Sequence, residues 1–186
     1  MGDAHLKQKL VELIRRLSYR EGHFILASGK ESSFYVDIKN LSLHPEGAQC
    51  IGRLTWRLLE AKTFVGVGGP TLGADPLATA LSLAAFESGV TVPAFIIRKE
   101  PKKHGTSQWI EGRENLAPQG ELLVVEDVVT TGGSSLKAIE KVRAEGFKVS
   151  TLLAVLDRNE GGREALAAVG VKLVALASIA EIRDSR

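Results

Sequence analysis

Two carboxylates followed by a run of small residues, Glu126-Asp127-Val128-Val129-Thr130-Thr131-Gly132-Gly133-Ser134, form the most chemically loaded stretch of this sequence. Leu122 to Val125 before it read as a buried strand, and Leu136 to Val142 after it repeat at helical spacing. The order is strand, loop, helix. Backbone N–H groups from Thr130 to Ser134, with hydroxyls among them and a helix N-terminus behind, suit a phosphate monoester. Glu126 and Asp127 would repel a phosphate, yet they suit the hydroxyls of a ribose attached to it, or an ion such as Mg²⁺. The same residues could also form a plain strand-to-helix turn capped by Thr and Ser, with the carboxylates merely solvated. No Walker-type lysine follows the glycines, which argues against a P-loop nucleotidase.

This run resembles the phosphoribosyl-pyrophosphate (PRPP) signature of type I phosphoribosyltransferases. Three other stretches resemble the orotate branch of that family. Arg98-Lys99-Glu100-Pro101-Lys102-Lys103-His104-Gly105 is similar to its basic loop, Arg-Lys-x-x-Lys-x-His-Gly, at all the specified positions. Its charge suits a departing pyrophosphate, over which a mobile loop could close and exclude water; taken alone it would read as a solvated charge run or an RNA contact. Asp157-Arg158-Asn159-Glu160 is similar to the Asp-Arg-x-Glu motif whose arginine pairs with the orotate carboxylate, a two-pronged geometry that lysine cannot copy. Internal pairs, Asp157 with Arg158 or Glu160 with Arg163, are the competing use. Phe34 and Tyr35 match the aromatic positions that flank the pyrimidine, although Phe34, Val36 and Ile38 could equally be the buried face of a strand.

The resemblance implies transfer of a phosphoribosyl group from PRPP to orotate, giving orotidine 5′-monophosphate and pyrophosphate, in pyrimidine nucleotide synthesis. It implies PRPP contacts from Arg98, Lys99, Lys102, His104, Glu126, Asp127, Val128, Val129, Thr130, Thr131, Gly132, Gly133 and Ser134, with Lys99, Lys102, His104 and Asp127 catalytic. Orotate contacts fall on Phe34, Tyr35, Thr130 and Arg158. Mg²⁺ is the implied cofactor, resting mainly on PRPP oxygens and water near Asp127 rather than on protein ligands. A homodimer with active sites shared across its interface is implied too. The sequence departs from the pattern twice: Ala27 stands where many members have Lys before the Ser-Gly turn, and Leu72-Gly73 where many have Tyr-Lys. Lys30 and Lys39 are the candidates to replace the lost charge.

Positioning these groups requires an α/β fold with a Rossmann-like, mostly parallel sheet flanked by helices and a small N-terminal hood. The spacing of Leu6, Leu10, Leu13, Ile14 and Leu17 predicts an amphipathic helix, then two short strands, Phe24 to Lys30 and Ser33 to Lys39, joined by a Ser/Gly turn. Further units follow: a helix over Pro45 to Lys62, a strand over Thr63 to Val67, a loop over Gly68 to Pro76, a helix over Leu77 to Phe86 and a strand over Pro93 to Ile97. Past the basic loop and an aperiodic stretch to Gly112 come the central strand, a helix from Ser134 to Glu145 stopped by Gly146, a strand over Val149 to Leu156, a helix from Arg163, a strand over Val171 to Ala177 and a terminal turn. Loops after strands are where ligands bind in such sheets, so Gly68 to Asp75 is a second anion candidate.

The 186 residues fit one domain, 1–186, of which residues 1–40 supply the helix and hood hairpin. With 44% hydrophobic and 25% charged residues, disordered and fibrous classes drop out. A net charge of +2 gives no general case for nucleic acid or a membrane surface. Cys50 is the one cysteine, so no disulfide or zinc framework is expected, and a reduced cytoplasm is the simplest location. No apolar signal region or membrane-length run is seen. Two competing functions remain: a purine phosphoribosyltransferase, which would need no carboxylate-reading Arg158, and a regulator that keeps a PRPP pocket, which would need no basic loop.

Overall fold

The computed structural model describes residues 2–25, 31–59, 64–101 and 108–184. The first helix, α1 (Asp3–Leu17), buries Leu6, Leu10, Leu13 and Ile14, the stripe expected from their spacing. β1 (Tyr19–Ile25) and β2 (Glu31–Val36) form an antiparallel two-stranded ribbon. The ribbon therefore starts at Tyr19, earlier than Phe24, and its register shifts between Glu21 and Phe24. Of the predicted first strand, residues 26–30, including Ala27 and Lys30, lie outside the described residues. A short helix absent from the sequence reading, α2 (Lys39–Ser42), replaces the end of the predicted second strand. It is followed by α3 (Pro45–Leu59), with proline at its start where the missing N–H is harmless.

The alternating core begins at β3 (Gly66–Pro70), which is shifted: Gly68, Gly69 and Pro70 belong to the strand rather than to the loop. Gly69 is required there, because a Cβ would fall 2.0 Å from the Val125 carbonyl oxygen. Then come α4 (Asp75–Glu87), β4 (Ala94–Ile97) and β5 (Ile110–Glu111), the last in a stretch read as aperiodic. β6 (Leu122–Val129), α5 (Gly133–Ala144), β7 (Thr151–Asp157), α6 (Gly162–Ala167), β8 (Lys172–Ser178) and α7 (Ile179–Asp184) complete the chain. Gly146 takes the left-handed conformation, φ +88°, just past α5, as a helix stop should.

Six strands lie in the order β5-β4-β3-β6-β7-β8. All neighbours are parallel except β4 and β5, which are antiparallel, so the sheet is mostly parallel as expected. Alternation explains why its strands read as continuous apolar runs: Leu123, Val125, Leu153 and Val155 pack with α1, α3 and α4, while Leu122, Val124, Leu152 and Ala154 pack with α5 and α6 on the other face. The strand order reverses direction between β3 and β6. At such a switch point the loops leaving two parallel strands diverge and open a crevice at their C-terminal ends.

Helices α3 and α4 approach closely at Gly52, where a Cβ would lie 2.4 Å from the Ala80 carbonyl oxygen. Helix propensity alone would make Gly52→Ala stabilising by up to about 1 kcal/mol. Contact reverses the sign. Gly52→Ala is expected to lower unfolding free energy by about 1–3 kcal/mol in urea titration, through the backbone shift it forces.

Candidate active site

Four loops converge on the C-terminal edge of the sheet: residues 71–74 after β3, 98–101 after β4, 130–132 after β6 and 158–161 after β7. The central carboxylates do not end the strand, as the sequence suggested, but lie within it, because β6 runs on to Val129. Successive strand residues face opposite ways, and this separates the pair.

Glu126 points beneath the Thr130 to Ser134 loop, 4% exposed. Its Oε1 accepts hydrogen bonds from the Ser134 and Ser135 hydroxyls at 3.1 and 3.0 Å, so the first turn of α5 is tied to the central strand. Burial pushes the Glu126 carboxyl up to about 7, Asp127 adding by repulsion while the Ser135 and Ser134 hydrogen bonds pull it back. Asp127 is on the open side, its carboxylate 19% exposed. A Cβ on Gly73 would lie 2.5 Å from Asp127 Oδ2, so only glycine lets the β3 loop pass over this carboxylate at the switch point. Asp127 Oδ1 accepts the Val128 N–H at 2.8 Å, and Lys39 Nζ stands 3.7 Å from Oδ2.

The loop itself has the form expected of an anion cradle. Gly132 is left-handed, φ +82°, and α5 starts at the next residue, leaving first-turn N–H groups that a helix cannot satisfy internally. Thr131, Gly133 and Ser134 are exposed, while Thr130 and Val128 are half-buried. The loop is braced from β7: Arg158 N–H donates to the Val129 carbonyl and Gly162 N–H to the Thr130 carbonyl, both at 3.0 Å. Gly162 was not singled out in the sequence, yet a Cβ there would lie 2.7 Å from the Thr130 oxygen.

Arg158 and Phe34 are brought together, the guanidinium carbon 5.0 Å from the ring centroid. Arg158 Nε lies 2.9 Å from Glu160 Oε1, a charge contact without hydrogen-bond geometry. The internal ion pairs are crossed relative to the expected ones: Arg158 pairs with Glu160, and Asp157 with Arg163 at 3.0 Å. Phe34 also stacks on Tyr19, centroids 6.0 Å apart, and has Arg183 of α7 at 5.7 Å. Tyr35, by contrast, lies on the other face of the ribbon against Phe24, 5.6 Å away, and is 44% exposed. Neighbouring strand residues cannot flank one ring from a single face, so Phe34 alone shares the Arg158 side.

The basic run is only partly described. Arg98 is half-buried and pairs with Glu111 of β5, and Lys99 is exposed. Lys102 and His104 lie outside the described residues. What the sequence missed is the anchor: Lys141 of α5 donates to the carbonyls of Arg98 and Lys99 at 3.0 and 3.3 Å and sits 3.9 Å from the Trp109 ring centroid. Desolvation, with Lys137 nearby, holds its ammonium below the usual lysine range. Thr71, Ile96, Arg98, Lys99 and Glu100 line an open cleft of about 400 Å³. For a cation, no group of three or more His, Cys, Asp or Glu side chains stands together among the described residues. Asp127 is the accessible carboxylate of the crevice, and a single carboxylate suits a hard cation that a ligand's phosphate oxygens also hold.

The phosphoribosyl transferase domain profile matches residues 37–181. An orotate phosphoribosyltransferase of Nostoc sp. is 44% identical over 179 residues, covering 96% of this chain and 86% of the relative. The chain belongs to the orotate phosphoribosyltransferase family. A crystal structure of the Mycobacterium tuberculosis orotate phosphoribosyltransferase with Fe(III) dicitrate superposes with a TM-score of 0.85 at 40% identity, covering 95% of this chain and 98% of that one. The same enzyme in complex with PRPP gives 0.81 at 37% identity, covering 96% and 99%. The general domain profile begins at Asp37, just after the ribbon, whereas the orotate phosphoribosyltransferases align through it.

Glu126 yields a pH test. Because its folded-state carboxyl titrates near 7, above the unfolded value, the folded protein binds the proton more tightly. Its contribution to stability is full below the ordinary carboxyl range and is lost as pH rises toward 7. Glu126→Gln keeps an acceptor for the serines without the charge. Compared with wild type, it should gain about 1–3 kcal/mol of unfolding free energy between about pH 5 and pH 8 in urea titrations, and an equal pH response would refute the buried charge.

Proposed function

We propose that the protein is an orotate phosphoribosyltransferase, a pentosyltransferase that converts orotate and PRPP to orotidine 5′-monophosphate and pyrophosphate. The carrying observation is the meeting of Arg158 with Phe34 on one side of the Thr130 to Ser134 loop and of Asp127 with the Gly73 loop on the other. A carboxylate-bearing flat ring fits the first, and a phosphorylated ribose fits the second.

The reaction needs geometry more than covalent catalysis. N1 of orotate forms a bond to the sugar C1 as the C1–oxygen bond to pyrophosphate breaks, through an oxocarbenium-like state, and the proton that N1 carried passes to the departing pyrophosphate or to water. Residues Thr130 to Ser134 hold the 5′-phosphate with backbone N–H groups, and Asp127 holds the ribose hydroxyls. Glu126 acts from below by fixing Ser134 and Ser135. Arg158 orients the orotate carboxylate with Phe34 against the ring; Tyr35, on the opposite face, would contact the base only if the ribbon turned. Asp127 is the accessible carboxylate beside which a PRPP-borne Mg²⁺ would rest, and when bound that ion would offset negative charge on the leaving pyrophosphate. Arg98, Lys99, Lys102 and His104 supply the rest, stabilising negative charge that develops as the bond breaks.

One domain spanning 1–186 works in the cytoplasm as a homodimer in this reading. Support for self-association comes from large exposed apolar side chains, Leu43, Leu72, Leu83 and Phe86, which a second copy could cover. No described helix is long and apolar enough to cross a membrane.

Incubation with orotate, PRPP and Mg²⁺ should release pyrophosphate, and hypoxanthine in place of orotate should not; the reverse preference would establish a purine enzyme. Arg158→Lys should raise the KM for orotate by about tenfold or more while changing the KM for PRPP little, since the two-pronged contact is lost. Lys102→Ala should lower kcat by about 10²-fold, and turnover within about threefold of wild type would remove the basic loop from the mechanism.

A further inference from the structure

Asp127 is approached by one cation among the described residues, and it comes from an unexpected place. Lys39 opens α2, directly after the ribbon, and its Nζ lies 2.7 Å from Asp37 Oδ1 and 3.7 Å from Asp127 Oδ2. Asp37 Oδ1 also accepts the Lys39 backbone N–H at 3.0 Å, so the turn into α2 is capped by the main chain whether or not the ammonium is present. The ammonium is therefore not needed for that turn. The hydrogen bond to Asp37, with the Asp127 charge adding against desolvation, keeps it firmly protonated above the usual lysine range. At 43% exposure it is open to solvent rather than part of the core.

A site of this composition has an electrostatic difficulty. Its ligand carries a phosphate and a pyrophosphate, yet the Asp127 carboxylate faces the crevice, and the overlying loop, Thr71-Leu72-Gly73-Ala74, brings no cation. We propose that Lys39 is a positioning residue for the sugar-pyrophosphate, acting through Asp127: it keeps that carboxylate turned toward the ribose hydroxyls and offsets its charge against the incoming polyanion. The proposal rests on the assignment of Asp127 to the ribose.

Steady-state kinetics of Lys39→Met, Lys39→Gln and Lys39→Arg, with both substrates varied at fixed Mg²⁺ and ionic strength, test it alongside calorimetric titration with PRPP. The Met and Gln variants should raise the KM and Kd for PRPP by about tenfold and leave the KM for orotate within about twofold, with Arg restoring most of the loss. In an Asp127→Asn background, Lys39→Met should add less than about twofold, because the residue it acts through is already neutral. A loss spread equally over both substrates, failure of Arg to rescue, or the full loss repeated in the Asp127→Asn background overturns the proposal. Thermal unfolding separates misfolding, and the Gln and Arg variants remain informative if Met unfolds. If wild type bound PRPP but did not turn over orotate, the functional reading would fail while calorimetry still tested Lys39; absence of PRPP binding by wild type would overturn both.

Discussion

A carboxylate buried in the protein interior is stable only where hydrogen bonds replace its water, and this fold places one under the loop from Thr130 to Ser134. Glu126 projects from the central strand into the start of α5, and the hydroxyls of Ser134 and Ser135 close on the same oxygen. Strand and helix are thereby fixed to each other across the loop between them. The left-handed bend at Gly132 and the exposed N–H groups that follow take their positions from that connection. Bracing from β7 by Arg158 and Gly162 holds the other side of the loop. An anion cradle assembled from main chain must be rigid before the ligand arrives, since each unfixed peptide would have to be ordered on binding.

The same principle of separation runs through the site. Strand geometry sends Glu126 and Asp127 to opposite faces, one into the helix layer and the other toward the crevice between β3 and β6. One is an internal fastener and the other an available ligand, although their side chains are chemically alike. Gly73 marks the open side by leaving room over the Asp127 carboxylate. Lys141 extends the same helix toward the basic run, so α5 contacts phosphate-loop and cationic segments at its two ends.

Legibility in the sequence followed burial. The central strand and its loop could be read because a strand covered on both faces is apolar throughout, and because Thr-Thr-Gly-Gly-Ser has few other uses. The first ribbon strand could not be placed: Tyr19 to His23 is largely exposed and shows no alternation, as a ribbon outside the sheet allows. β5 is only two residues long, set by pairing with β4 rather than by its own pattern. Contacts between distant segments left no local signal. Nothing near Lys141 indicates Trp109, and the pairing of Arg158 with Glu160 and Arg163 with Asp157 depends on how the turn before α6 directs each side chain. Similarly, Phe34 and Tyr35 look like a matched pair in sequence, and only the ribbon's pleat divides them.

The ribbon's place outside the six-stranded sheet has a consequence for how such enzymes diversify. Phe34 belongs to a two-stranded appendage, while Asp127 and the Thr130 to Ser134 loop belong to the six-stranded sheet and its connections. Among the described residues the appendage shares no backbone ladder with the sheet, so its length and sequence can drift without disturbing the strand registers beside Asp127. Substitutions in the ribbon can therefore alter the surface around Phe34 while the central strands keep their registers.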